Sequence, residues 1–264
     1  MASRRNVRLW VVGLGTVGRW LLRVLDSQPE RLARRYDVRF VVTGAANARD
    51  GFVFDADGLD VPAVLGHLAA GRSIAEQPDA EHWSSAIEGL RATEADVLVE
   101  VTASPPTDGE PGVLHMREAL GRGIPVVTSN KWPIALHGVE LAELAGSQGV
   151  ALRAESTVMS GTPLLRPLTE GLAGAAPIGL RGIVNATANF ILSAMASGRS
   201  YDEALEAAQT AGLAERGVGA DVEGSDAQAK TMILAALVFP GSCGRKRWRA
   251  VGSAASRGRR SSGL

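Results

Sequence analysis

Residues 7–12 form an apolar stretch interrupted only by Arg8 and rich in β-branched and aromatic side chains, and it runs directly into Gly13-Leu14-Gly15-Thr16-Val17-Gly18. Beyond the glycines the period changes: Val17, Trp20, Leu21, Val24 and Leu25 recur at helical intervals until Pro29. The pattern therefore predicts a strand, a glycine turn and an amphipathic helix of about three turns that starts on the last glycine. Further apolar strands are predicted at 38–43, 95–101 and 124–128, with helical stretches between them, including 111–122 before the fourth strand. Strands alternating with helices predict an α/β fold, a Rossmann-like parallel sheet wound on both faces.

The character changes after Val139. A helix to about Ala145 and a strand at 150–154 lead into a turn rich in Gly, Ser and Thr at 156–163. Ser200-Tyr201-Asp202-Glu203 has the spacing of a capping box and predicts a helix over 201–211, stopped by Gly212. A second box, Ser225-Asp226-Ala227-Gln228, predicts a helix whose apolar residues end at Phe239-Pro240. Residues 1–150 are thus expected to form a dinucleotide-binding domain and 151–239 a smaller α+β substrate domain. From residue 240 onward the Gly, Ser, Arg and Ala composition predicts a tail without order.

The chain has 264 residues, 45% apolar and 21% charged, which excludes collagen and extended disorder and leaves ample length for a core. The single cysteine, Cys243, excludes an intramolecular disulfide framework and points to a reducing, cytoplasmic setting. The longest apolar run, 232–239, is far shorter than the roughly 20 residues a membrane span needs. Ser3-Arg4-Arg5 is followed by no apolar region of the kind an export signal carries. Net charge is zero, but residues 240–264 hold seven basic and no acidic residues, against 21 basic and 28 acidic in the remainder. An acidic body argues against nucleic acid as its partner.

Three groups of residues carry candidate chemistry. Gly13, Gly15 and Gly18 stand where a dinucleotide fingerprint needs them, for a tight turn, for close backbone approach to a pyrophosphate, and for helix packing on the sheet. No acidic residue follows the second strand to hold a ribose; Gly44-Ala45-Ala46-Asn47-Ala48-Arg49 stands there instead. Arg49 is either an acceptor for a 2′-phosphate or a solvated loop arginine. Thr128-Ser129-Asn130-Lys131 lies at the end of the fourth strand, where Lys131 either faces the cofactor crevice or is a surface lysine. Asp226 and Lys230, one helical turn apart, with Glu215 eleven residues before Asp226, make either a small charged pocket for proton exchange or a surface ion pair.

Five segments stand in the order seen in homoserine dehydrogenases: the Gly13–Gly18 turn, Thr128-Ser129-Asn130-Lys131, Glu155-Ser156-Thr157-Val158-Met159-Ser160-Gly161-Thr162-Pro163, the stretch 182–192 containing Val184-Asn185, and 221–230 with Asp226 and Lys230. The chain resembles that family from about Val7 to Phe239. The resemblance implies an NAD- or NADP-dependent interconversion of L-homoserine and L-aspartate 4-semialdehyde, on the route to threonine and methionine. It implies that Lys230 exchanges the proton with the substrate oxygen, that Asp226 and Glu215 bind substrate, and that Lys131 stands at the reacting centre. The cofactor contacts expected are Gly13, Gly15, Thr16, Val17, Gly18, Arg49, Thr102, Ser129 and Lys131. A sodium ion is implied at the Glu155 turn, held by the Glu155 region and the carbonyls of Val158, Ser160 and Thr162.

Members of the family continue well past the helix that bears Asp226 and Lys230. Here the basic tail follows Phe239, from which a truncated or frame-shifted product is expected, with an incomplete second domain and without the strands of a family-like homodimer. Two further expectations stand beside the enzyme: a remnant that holds cofactor without turnover, and a dehydrogenase of another amino acid.

Overall fold

A computed structural model describes residues 4–77, 80–214 and 223–239. Glu215 and the tail from residue 240 lie outside the described residues. The chain divides into two compact units, with the boundary between Thr157 and Val158.

In the first unit, β1 (Arg5–Val12), α1 (Thr16–Ser27), α2 (Pro29–Tyr36) and β2 (Val38–Asn47) are followed by β3 (Gly51–Phe54), α3 (Val61–Ala69), β4 (Glu81–Trp83) and α4 (Ala86–Ala92). Then come β5 (Val97–Glu100), α5 (Gly112–Gly121), β6 (Val126–Thr128), α6 (Lys131–Ser147) and β7 (Leu152–Arg153). The seven strands form one sheet in the order β4-β3-β2-β1-β5-β6-β7. The strand order turns back at β1, which pairs in parallel with β2 on one side and with β5 on the other. Ligands bind at such a switch point in open α/β sheets, outside the carboxyl ends of the strands.

The sheet is parallel, as expected, except at one edge. β2 pairs with β3, and β3 with β4, in antiparallel fashion. β3 has only four residues, all of them buried, and β4 only three, so neither shows the alternation of a half-buried strand. β2 also runs four residues beyond its expected end. Its Gly44-Ala45-Ala46 continuation has the composition of a loop, yet a methyl group at Gly44 would sit 2.5 Å from both Trp10 and Phe52. Those two rings meet edge to face at 6.3 Å in the core, so this stretch of β2 is glycine and alanine because aromatic side chains fill the space above it.

The strand expected to open the second domain belongs to the first. β7 pairs with β6, which moves the division from 150 to Thr157.

The second unit's described residues contain α7 (Ala186–Ala196), α8 (Tyr201–Thr210) and α9 (Ser225–Val238), and no strand. The capping box at Ser200 and Glu203 forms as expected, each side chain bonding the other's backbone amide. Ile191, Tyr201, Ala204, Ala208 and Ala214 make the core between α7 and α8. α9 begins differently from its expectation: its cap is Gly224, in the left-handed region at φ 84°, and Ser225 is the first helical residue. Only glycine holds that φ without strain. Among the described residues, no helix is long and apolar enough to cross a membrane.

Candidate active site

Each glycine of the turn after β1 has its own reason. Gly13 has φ +108°, and a methyl group there would lie 2.5 Å from the carbonyl carbon of Val101, so the turn after β1 packs against the chain leaving β5. Its amide donates to the Ala46 carbonyl at 2.9 Å, fixing the turn to the end of β2. Gly18 packs the start of α1 onto that turn; a methyl group would meet the Gly13 carbonyl oxygen at 2.0 Å. Gly15 is different, because nothing among the described residues lies within 4 Å of where its methyl would be. The first helical bond of α1 runs from the Arg19 amide to the Gly15 carbonyl at 3.0 Å. The amides of Thr16, Val17 and Gly18 therefore have no carbonyl one turn behind them. Open space above Gly15 and outward-facing amides at a helix N-terminus fit a pyrophosphate.

Arg49 lies in the turn between β2 and β3. Its guanidinium bonds both carboxylate oxygens of Asp50, at 2.9 and 3.0 Å, and the carbonyls of Gly71 and Arg72. A 2′-phosphate at this residue would compete with those acceptors. The Arg49 guanidinium, assisted by the Asn47 amide group, Ser73 and the Ile74 amide, holds the Asp50 carboxyl well below the usual carboxylate range, against the opposing effect of burial. A depressed folded value means that the stabilisation is fully present above the unfolded carboxylate's pKa, about 3.9, and is lost as pH falls toward the folded value. Asp50→Asn is expected to cost about 1.5–3 kcal/mol at neutral pH and to flatten the acid side of the stability curve. Urea unfolding across pH checks both.

At the carboxyl ends of β5 and β6 stands a network that sequence reasoning missed. Glu100 is fully buried. It accepts hydrogen bonds from the Thr102 amide at 3.1 Å, from the Thr102 hydroxyl, and from the Asn130 side chain at 3.2 Å. Of the expected cofactor residues beyond the glycine turn, Thr102 thus belongs to this network, while Ser129 and Lys131 follow Thr128 directly. Ser129 is half-buried, and Lys131 is the first residue of α6, with Asn130 at the position before it.

In the second unit Asp226 and Lys230 are brought together at the start of α9. Lys230 Nζ lies 2.9 Å from Asp226 Oδ2, with side-chain exposures of 18% and 6%, so this is no surface ion pair. Lys230 also donates to the Val184 carbonyl at 2.9 Å. Asn185 binds the same carboxylate oxygen as Lys230, its Nδ2 donating to Asp226 Oδ2 at 2.8 Å, while its Oδ1 caps α7 by accepting the Ala188 amide at 2.7 Å. Asn185 was not among the expected site residues; its signal was its place in the 182–192 segment. Glu215 lies outside the described residues.

Glu155 begins a single helical turn, Glu155–Thr157, in the first unit. Val158, Ser160 and Thr162 follow in the second, outside helix and strand; Val158 is buried, while Ser160 and Thr162 are exposed. Among the described residues, no three His, Cys, Asp or Glu side chains cluster as metal ligands.

A glycine turn of this geometry, placed at the switch point of a mostly parallel sheet, defines a dinucleotide-binding α/β protein of the Rossmann type. The comparisons with known proteins make the class specific. Residues 13–155 match the family model for the homoserine dehydrogenase NAD binding domain, and residues 163–251 match that for homoserine dehydrogenase. The chain is 38% identical over 228 residues to the NAD(+)-dependent homoserine dehydrogenase of Pseudomonas canavaninivorans, which covers 86% of this chain and 65% of that protein. It is 35% identical over 226 residues to the homoserine dehydrogenase of Methanocaldococcus jannaschii, covering 85% of this chain and 67% of that one. A hyperthermophilic archaeal homoserine dehydrogenase solved in complex with NADPH superimposes with a TM-score of 0.72 at 30% identity, over 89% of this chain and 70% of that one. The chain belongs to the homoserine dehydrogenase family, and spans about two thirds of the length of these relatives.

Proposed function

We propose that this chain carries out the NAD(P)-linked interconversion of L-homoserine and L-aspartate 4-semialdehyde. The pair of a buried Asp226 and a half-buried Lys230, at the positions the family resemblance assigns to substrate binding and proton exchange, is the observation that carries this reading. The turn at Gly13, Gly15 and Gly18, with the amides of Thr16 and Val17, would hold the pyrophosphate of the dinucleotide, and Thr102, Ser129 and Lys131 its nicotinamide end. When bound, the cofactor supplies or accepts the hydride at the substrate carbon.

The protein's own part is binding and proton transfer. Two of the three N–H groups of the Lys230 ammonium are directed to Asp226 and Val184. The third is directed to no other group among the described residues and would pass its proton to the substrate oxygen as hydride addition turns the semialdehyde carbonyl into an alkoxide, leaving a neutral amine. In the oxidative direction that neutral amine takes the hydroxyl proton back. Asp226, fixed by Asn185, keeps Lys230 in place and offers a carboxylate to the substrate ammonium; Glu215 would be the second such carboxylate. Asn185 and Asp226 act together here, because a carboxylate gripped through one oxygen by both an amide and an ammonium is fixed in direction.

Titration of the purified chain with NADPH and NADH, alongside homoserine-dependent reduction of NAD⁺ and NADP⁺, tests the reading. Turnover with homoserine supports it; cofactor binding without turnover assigns the chain a cofactor-holding role, and turnover of a different amino acid changes the substrate. The Glu155 turn supports a sodium site by its donor chemistry, since hard cations take backbone carbonyl oxygens such as those of Val158, Ser160 and Thr162. Replacing sodium by tetramethylammonium is expected to lower the unfolding midpoint by about 1 °C or more, measured by differential scanning fluorimetry; an unchanged midpoint removes the ion. The lone cysteine supports a cytoplasmic setting.

A further inference from the structure

We propose that Glu100 is a positioning residue for the nicotinamide end of the site, acting through Lys131; the inference rests on the role given to Lys131 above. Glu100 ends β5 with its carboxylate fully buried. A buried carboxylate is costly unless its oxygens are satisfied, and here both are. Oε1 accepts the amide and hydroxyl of Thr102. Oε2 accepts the Asn130 Nδ2 group at 3.2 Å and lies 3.4 Å from the Thr128 hydroxyl oxygen. That hydroxyl oxygen in turn accepts the Asn130 amide at 2.9 Å. A titratable neighbour is the buried His115 on α5, whose Nδ1 lies 3.8 Å from Oε1 and has no hydrogen-bond partner among the described residues.

The result is a tie between two strand ends. Asn130 Nδ2 also reaches the hydroxyls of Thr102 and Ser104, at 3.2 and 2.8 Å, so the chain leaving β5 and the chain leaving β6 are bound to each other through one amide and one carboxylate. Space for that amide is made by Gly112 at the start of α5, where a methyl group would come within 2.7 Å of Asn130 Nδ2. Asparagine is a favoured helix N-cap because its side chain bonds the first amides. Asn130 occupies the cap position of α6 but makes no such bond. Its amide group is directed inward to Glu100 instead, so the start of α6, and with it Lys131, is set by the network rather than by the helix's own capping. A local capping bond is thus given up for a link to residues some 30 positions away, as expected where the position of the next residue matters more than the helix end.

The experiment uses the full chain as wild type, Glu100→Gln, Lys131→Ala and the double variant. Glutamine keeps the size but turns an N–H group toward Asn130 Nδ2 or Thr102, so donor faces donor. In the cofactor-free protein, exchange of the Thr102 and Asn130 amides is expected to quicken about tenfold in Glu100→Gln relative to amides of β2. Homoserine-dependent kcat is expected to fall about tenfold in Glu100→Gln and to fall no further when that change is added to Lys131→Ala. Unchanged exchange, or equal kcat losses in both backgrounds, overturns the proposal, since a merely structural residue acts additively. If the wild type binds NADPH but does not turn over homoserine, the proposed activity fails by itself. The same four proteins are then judged by NADPH affinity, with non-additive losses supporting Glu100 and additive ones overturning it; absence of NADPH binding overturns both. Should Glu100→Gln not fold, Asn130→Ala breaks the tie from the other side and takes its place in the cycle.

Discussion

Lys230→Met is expected to lower homoserine-dependent turnover by about 10²–10⁴-fold, the range for loss of a positioned acid–base group, while NADPH affinity stays within about twofold because the dinucleotide turn is built from the other unit. The variant also leaves Asp226 buried beside Asn185 and takes the Lys230 charge away from it. Breaking a buried pair from one side costs about 3–5 kcal/mol, so lost activity alone would not separate chemistry from folding. The double variant Asp226→Asn, Lys230→Met does separate them. With the charge gone from both positions, the unfolding midpoint is expected to return most of the way to the wild-type value while turnover stays low. Recovery of turnover in the double variant would remove Lys230 from the chemistry. Stopped-flow or steady-state kinetics beside urea unfolding reads both quantities.

The second large effect is a contrast within the glycine turn. Gly15→Ala is expected to leave stability unchanged, since the residue has φ −77° and ψ −157° and open space where the methyl would go. Its effect falls on the ligand. A methyl group standing where a pyrophosphate approaches the backbone is expected to weaken dinucleotide binding about tenfold or more, or roughly 1.4 kcal/mol. Gly13→Ala reverses the pattern: positive φ and a 2.5 Å approach to Val101 are expected to cost about 2–5 kcal/mol of stability. Calorimetric titration with NADPH and thermal melts of the two variants check the pair. Equal melting points would contradict the packing described here, and undiminished affinity in Gly15→Ala would move the pyrophosphate elsewhere.

What could be read in the sequence was what is local. The strand, turn and helix around Gly13 were legible because the apolar period changes within a few residues, and the α8 cap because Ser200 and Glu203 are three apart. Asp226 and Lys230 were visible as a pair for the same reason, though their burial was not: spacing says that two side chains meet, not what covers them. Glu100 was hidden because it is one of two acids, with Asp96, in a seven-residue predicted strand and so looks like part of a polar face, and its partners Thr128 and Asn130 lie 28 and 30 positions away. Asn185 and Asp226 are separated by 41. β3 and β4 escaped because strands of four and three residues carry too few alternations to show a period. Ser225 followed by Gln228 had the letters of a cap, but the backbone at Gly224 took the left-handed turn that a serine cap would not need.

The two ends of the Asn185 side chain serve different masters. The oxygen starts α7 and the nitrogen grips Asp226, so the carboxylate cannot be displaced without pulling on the first turn of a helix whose Ile191 is seated in the core with Tyr201 and Ala204. The charged pair is in this way geared to the α7–α8 hairpin, and a push on either is felt as a torque on the other.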